Sequence, residues 1–257
     1  IFRAIRFEQR YDFKMEEKTE EFAIKAIESG ILGKVSLERI NFEFFAMLKE
    51  SNILAILERM ENLRIFKMVY PEIKLTDGLK KLLKNAEEDL AYFREKLKSQ
   101  EAIDRTLLYL LILYSDMSFE NASKLSENMR LSKEYKSEIL KLIEVKDRVL
   151  SNLSGNIDMS NYHVYNELKG VSVEILLVLC MLSREKKLIA RIILYINSLK
   201  DIKTQVTGKD LKQLGIEPGP EYALLLEKVL AEKLNGNLQT YNDELAFLKK
   251  IINEEKK

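Results

Sequence analysis

Three observations predict an all-α fold, drawn out as an elongated array of helices in three parts. Apolar residues recur at spacings of three and four through most of the 257 positions, with almost no strand-like alternation. The chain carries only 9 glycines and 3 prolines, few helix breakers for its length. Serine or threonine stands repeatedly just ahead of a new periodic stretch, where a hydroxyl can accept from the first free amides of a helix. A chain of this size suits two or three compact units, or one extended array sharing a continuous core.

Taken in order, the first helix runs from Ile1 to Arg10. Arg3, Arg6 and Arg10 recur on it at spacings of three and four, so they form one guanidinium stripe while Ile1, Phe2 and Ile5 turn elsewhere. Such a stripe suits phosphates or nucleobases. The plainer reading is a solvated face whose arginines pair with Glu8 and with Glu16 or Glu17. A second helix, about Glu17 to Ser29, is broken by Gly30 and Gly33. Ser36 then reads as the N-cap of a helix from Leu37 to about Leu48, its hydroxyl accepting from an orphan amide; Glu38 and Glu43 suit the early turns, and Ile40, Phe44 and Met47 make the apolar face.

Pro71 ends a helix running through Arg64 to Tyr70, because the residue before a proline avoids the α region. Thr76-Asp77 caps a charged helix to about Leu97, with Leu79, Leu82, Leu83, Ala86, Leu90 and Phe93 in a three-four rhythm. Ser118, Ser132, Ser160 and Ser172 open further helices in the same way. The turn Asn152-Leu-Ser-Gly-Asn156 divides the chain again. Beyond it, Val206-Thr-Gly-Lys-Asp-Leu211 leads through Gly215 and Pro218-Gly-Pro220 into an amphipathic helix from about Glu221 to Leu234, for which Pro220 is preorganised. The parts are therefore residues 1–50, 51–156 and 157–257. No repeat of about 33 to 47 residues is evident, which disfavours a solenoid.

Composition excludes several chemistries. Lys plus Arg number 42 against 41 Asp plus Glu, so any basic surface must be local. His163 is the only histidine, which removes His-rich metal sites, Ser-His-Asp triads and hydrolases built on paired His and Asp ligands. Cys180 lies inside the apolar run from Ile175 to Leu182 and reads as a core filler. Asp104, Asp116 and Asp158 are isolated, no Asp-x-Asp pair stands on a strand-like segment, and no phosphate-binding glycine loop appears. The chain is thus expected to hold no catalytic residue and no metal ligand of its own. Tyr109, Tyr114, Tyr162 and Tyr165 fall at helical spacing among apolar residues and read as core. The longest apolar runs fall well short of the roughly 20 residues that cross a bilayer, and the basic, amphipathic start is unlike a signal peptide. A cytoplasmic setting without a membrane partner is expected. Heavy Lys and Glu use with one Cys and no Trp points to a thermophilic source. The free amides opening the Glu221 helix, with Lys209 and Lys212 nearby and Gly219 allowing close backbone approach, make a phosphate seat; an ordinary Gly-Pro helix start is the alternative.

Ile1-Phe-Arg-Ala-Ile-Arg-Phe7, followed by Tyr11-Asp-Phe13 and Thr19 and then by Val35-Ser-Leu-Glu-Arg-Ile40 with Glu43, resembles the neck of bacterial-type (class II) tRNA nucleotidyltransferases and the related poly(A) polymerases. Gly208-Lys-Asp-Leu211, Gly215, Pro218-Gly-Pro220 and Asn242-Asp-Glu-Leu245 resemble the tail of the same family. The neck motifs are the more specific, and the middle matches only as a helical body. The resemblance implies a neck over 1–50, a body over 51–156 and a tRNA-binding tail over 157–257, within a seahorse-shaped enzyme that adds all or part of the CCA end to tRNA without a nucleic-acid template. It further implies a Glu-Asp-x-x-Arg motif just upstream of Ile1, and a catalytic head, in cis or as a separate chain, that carries the metal-binding carboxylates. This chain would be inactive without that head; Mg and ATP or CTP would belong to the complete enzyme through it, with no cofactor here.

Carried over by residue, the resemblance makes Arg3 and Arg6 nucleotide-proximal. It makes Glu38, Arg39 and Glu43 a brace for the neck helix, with Arg39 acting through charge-assisted hydrogen bonds. Arg10, Gly208, Lys209, Lys212 and Gly219 become RNA-binding, the tail facing the T-loop end so that its distance from the neck measures the acceptor and T stems. Phosphate contacts would dominate there, with marked salt dependence. The partners implied are the acceptor and T arm of tRNA and the head. Two other readings stay open: a poly(A) polymerase with the same helices, and a helical interaction scaffold with no nucleic-acid role.

Overall fold

Local capping sets most of the helix starts. The hydroxyls of Ser118, Ser132, Ser160 and Ser172 accept from the amides of Asn121, Tyr135, His163 and Ile175, three residues on, at 3.2 to 3.5 Å. Thr76 does the same for Leu79 at 3.2 Å. Asp104, which the sequence leaves without a role, accepts from the amides of Thr106 and Leu107 at 2.9 and 3.1 Å. Ser36 departs from expectation: it occupies the N-cap with extended backbone, yet its hydroxyl makes no cap hydrogen bond. That helix start is exposed, so solvent serves its first amides.

The computed structural model describes residues 1–98, 102–155 and 158–255; these hold fifteen α-helices, one 3-10 turn and one π turn, and no strand. They fall into two compact units. The first unit contains α1 (Phe2–Tyr11), α2 (Glu17–Glu28), the 3-10 turn Ile31–Lys34, α3 (Leu37–Met47), α4 (Ile53–Asn62), α5 (Ile65–Val69), α6 (Asp77–Lys96), α7 (Arg105–Tyr114), α8 (Phe119–Asn128), most of α9 (Lys133–Leu153), and α11 (Val173–Ser183), which follows α10 (Asn161–Leu168) in the chain. The centre of this unit is α7 packed on α11, with α6 against both. Thr106 to Tyr114 and Ile175 to Met181 are buried without a break, as expected of helices apolar on all sides. Cys180 sits there as core, its thiol pushed well up by burial.

The second unit holds α10, α12 (Lys186–Leu194), the π turn Tyr195–Leu199, α13 (Gly208–Gln213), α14 (Pro220–Leu234) and α15 (Tyr241–Glu255). Val206, Leu211, Leu225, Val229 and Leu248 form the middle of its core.

Some boundaries shift from those read in the sequence. The helix expected over Arg64 to Tyr70 is only α5, because Arg64 adopts a left-handed backbone at φ 59° and Tyr70 is turned out of the helix ahead of Pro71. Asn152 and Leu153 remain in α9. The break comes at Gly155, with φ +85°, and Asn156 lies outside the described residues. Gly208 to Gln213, read as a lead-in, is the short helix α13. Thr207 and Asp210 close a reciprocal capping box at its start. Tyr109 and Tyr114 are core as expected, whereas Tyr162 and Tyr165 are half-buried and the Tyr162 hydroxyl donates to Glu227 at 2.7 Å.

Candidate functional site

The arginine stripe of α1 is resolved into three different environments. Arg3 is exposed, its guanidinium carbon 5.7 Å from the centroid of the Phe7 ring, with no carboxylate partner among the described residues. Arg6 is largely buried beside Glu43 of α3 at 3.4 Å, and its Nε lies 4.0 Å from Glu50. Arg10 donates through Nε to Glu50 at 3.1 Å, and that bond and charge raise the already high pKa of its guanidinium. The plainer reading of the stripe is corrected in its partners: neither Glu8 nor Glu16 nor Glu17 pairs with these arginines. Phe2, Ile5 and Glu8 form the buried face of α1, so Glu8 points away from the stripe.

Glu8 instead anchors the unit from within. Its carboxylate accepts from Arg59 of α4 at 3.0 and 3.1 Å and from the amide of Met15 at 2.7 Å. The other edge of the same guanidinium donates to Glu20 of α2 at 2.7 and 2.8 Å. Two forked pairs on one arginine therefore lock three helices. The bond from Arg59 holds the Glu20 carboxyl below the usual carboxylate range. A second buried relay ties α3 to the rest of its unit: the Asn41 amide donates to the carbonyl of Met129 at 2.7 Å, and its oxygen accepts from the Tyr70 hydroxyl at 2.6 Å.

The residues read as a brace separate. Glu43 faces Arg6. Glu38 pairs with Arg130, just past the end of α8. Arg39 is exposed, and its guanidinium makes no hydrogen bond or ion pair among the described residues, so α1 gains no charge-assisted bond from it. Arg39 and Arg3 instead rim one open groove of about 680 Å³, walled by Phe2, Ile31, Val35 and Phe42. Phe42 is 71% exposed there. The groove thus offers apolar walls and two guanidinium groups without carboxylate partners, beside the carboxylates of Glu38 and Glu43, which face Arg130 and Arg6. Glu50 and Arg59 escaped sequence reasoning, since only long-range packing pairs them.

In the second unit, Lys209 and Lys212 are exposed on α13 without a carboxylate partner among the described residues. A Cβ on Gly208 would meet the Tyr222 ring at 3.2 Å, so this glycine seats α13 on the first turn of α14. Gly219 is the N-cap of α14, with extended backbone, and Pro220 opens the helix. The Asn242-Asp-Glu-Leu245 motif has a structural part that its spacing did not reveal. Glu244 is fully buried and accepts from the amides of Gln205 and Val206 at 2.7 and 2.9 Å, with Lys233 completing the pair. Asp243 accepts from the amide of Thr240 at 2.8 Å, which depresses its pKa.

Among the described residues, no group of three or more His, Cys, Asp or Glu side chains is placed to hold a metal ion. No described helix is long and apolar enough to cross a membrane.

Residues 12–76 match the family model described as "Probable RNA and SrmB- binding site of polymerase A". The chain is 29% identical over 249 residues to the A-adding tRNA nucleotidyltransferase of Geobacter sulfurreducens, a match that takes in 95% of this chain and 28% of that protein. The CCA-adding enzyme of Pediococcus pentosaceus is 28% identical, over 98% of this chain and 59% of its own length. Among solved structures, the CCA-adding enzyme of Thermotoga maritima complexed with tRNA superposes with a TM-score of 0.75 at 26% identity, covering 98% of this chain and 60% of that one. A CCA-adding enzyme in complex with ATP gives a TM-score of 0.76 at 26% identity, over 100% and 59%. The chain therefore spans little more than a quarter of the A-adding relative and about three fifths of the CCA-adding proteins. Along nearly its whole length the chain is thus similar to A-adding and CCA-adding tRNA nucleotidyltransferases, while spanning only part of theirs.

Proposed function

We propose that this chain is the tRNA-binding and nucleotide-selecting part of an enzyme that adds all or part of the 3′-terminal CCA to tRNA in the cytoplasm, working with a catalytic head in cis or on a separate chain. The observation that carries the reading is the likeness along 95% or more of the chain to A-adding and CCA-adding enzymes. On this reading residues 1–50 act as neck, 51–156 as body and 157–257 as tail.

The groove chemistry supports the neck assignment. Apolar walls suit a planar base, and Arg3 and Arg39 suit anionic oxygens of ATP, CTP or an RNA end. Arg6 acts by shaping this face through Glu43. Mg belongs to the head on this reading, because Glu38 and Glu43 are engaged by Arg130 and Arg6. Arg10 is committed to Glu50 and orients α1 more than it contacts RNA. In the tail, Lys209 and Lys212 supply phosphate contacts to the acceptor and T arm, with Gly208 and Gly219 shaping the backbone around them.

The test uses the purified chain with an acceptor-T minihelix. It should bind at low salt and incorporate no nucleotide, with addition restored when the head is supplied. Nucleotide addition by the chain alone, or no minihelix binding at low salt, would overturn the proposal. The family description matched by residues 12–76 favours one second reading, a poly(A) polymerase. The head-containing enzyme separates the two by whether it stops once CCA is complete.

A further inference from the structure

A strip runs along α1 and just past its end, from exposed Arg3 through half-buried Phe7 to exposed Tyr11 and Phe13. Arg3, Phe7 and Tyr11 stand four residues apart and share a helix face. Arg3 and Arg6 lie 5.7 and 5.4 Å from the Phe7 centroid, and Tyr11 is 5.8 Å from Phe7. Phe13 extends the row, 6.3 Å from Tyr11 with the ring planes within 5° of parallel. Tyr11 is 64% exposed and Phe13 51%; among the described residues no other pair of neighbouring rings has both members exposed.

This strip is not a frayed end. Asp12 takes a left-handed backbone at φ 51°, the Phe13 amide donates to the Glu8 carbonyl at 3.2 Å, and the Met15 amide donates to the buried Glu8 carboxylate at 2.7 Å. The turn that presents both rings is therefore clamped by the same carboxylate that holds Arg59. Preorganised aromatic planes with a guanidinium at one end match unpaired nucleobases, each of which has a π-face to stack while the cation meets an adjoining phosphate. Arg3 has no carboxylate partner to displace. Asp12 and Glu16, exposed at the far end, leave that end to stacking and not to charge.

Resting on the RNA-binding role proposed above, we infer that Arg3, Phe7, Tyr11 and Phe13 form a stacking strip for a short run of unpaired RNA, separate from the duplex contacts assigned to Lys209 and Lys212. The chain contains no tryptophan, so Tyr11→Trp keeps an aromatic plane and installs a single indole reporter. The experiment titrates wild type, Tyr11→Trp and the double variant Tyr11→Ala/Phe13→Ala with an unstructured ribohexamer and, separately, with a blunt-ended minihelix. Hexamer binding should quench the indole and should weaken about tenfold or more in the double variant, while minihelix affinity stays within about twofold of wild type and thermal melts of all three proteins coincide. An unquenched indole together with equal hexamer affinity overturns the strip even when minihelix binding is intact; absence of binding to both RNAs overturns the RNA role with it. Quenching by an added head domain but not by RNA assigns the rings to a protein contact, which also overturns the inference.

Discussion

Arg59 shows how one side chain can fix the geometry of a surface that it does not line, here the face proposed to meet RNA. Its guanidinium is forked to Glu8 on one edge and to Glu20 on the other, so it holds α1 and α2 against α4. Glu8 is only 4% exposed, and removing its partner leaves a carboxylate stranded in the interior. Arg59→Met is therefore expected to cost about 3 kcal/mol of stability, read as a lowered urea midpoint; a change under about 1 kcal/mol would mean that the pairs contribute little. The pH dependence follows from Glu20. Its folded pKa is depressed by the hydrogen bond from Arg59, so its stabilisation is complete above the unfolded carboxylate value and is lost as pH falls through the depressed one. The acid-side loss of stability seen in wild type should be shallower in Arg59→Met, measured as urea midpoints from neutral pH down through and below the ordinary carboxylate range. The sequence could not give this pairing. Arg59 is 51 positions from Glu8 and 39 from Glu20, and spacing along a helix reports only neighbours within two turns. For the same reason the arginine stripe was legible as a stripe, while its partners Glu43 and Glu50 were not.

At the level of elements, caps were readable and burial of charge was not. The four serines that open α8, α9, α10 and α11 accept the expected amides. Their signal is local: a hydroxyl ahead of a periodic apolar stretch. Ser36 carries the same signal but opens α3 on an exposed rim where water competes. The helix α13 was missed because its glycine start and six-residue length give no apolar period to detect. What holds it is legible only in three dimensions: Glu244 of α15 accepts the amides of Gln205 and Val206 just ahead of α13, and Lys233 of α14 neutralises it. Glu244→Ala should strand an ammonium and two amides, lowering stability by about 3 kcal/mol or more. Glu244→Gln should lose less, since its oxygen still accepts from the backbone. Equal losses for the two would show that shape, not hydrogen bonding, sets the site. Thr207→Ala, which opens the capping box, should cost about 1 kcal/mol, and both effects are read by thermal melts followed by circular dichroism.

At the scale of the whole chain, the near balance of 42 basic and 41 acidic residues limits how RNA can be held. Many arginines are committed within the fold: Arg6, Arg10, Arg59, Arg64, Arg105, Arg130 and Arg184 all face carboxylates. That pattern alone would suit a scaffold. The cations assigned to RNA differ, because Arg3, Arg39, Lys209 and Lys212 are exposed and have no carboxylate partner among the described residues. Four such contacts predict a modest counterion release, a slope of log K against log salt between about −3 and −4 for an acceptor-T minihelix that carries an unpaired 3′ end. Lys209→Glu/Lys212→Glu should make that slope shallower by about 2 and weaken binding at low salt by about tenfold or more, while Arg3→Ala should shift it by about 1. The comparison separates the two readings of the charge pattern. A scaffold without an RNA role gives a slope near zero in every variant, whereas a local RNA footprint gives a slope that disappears in proportion to these four side chains.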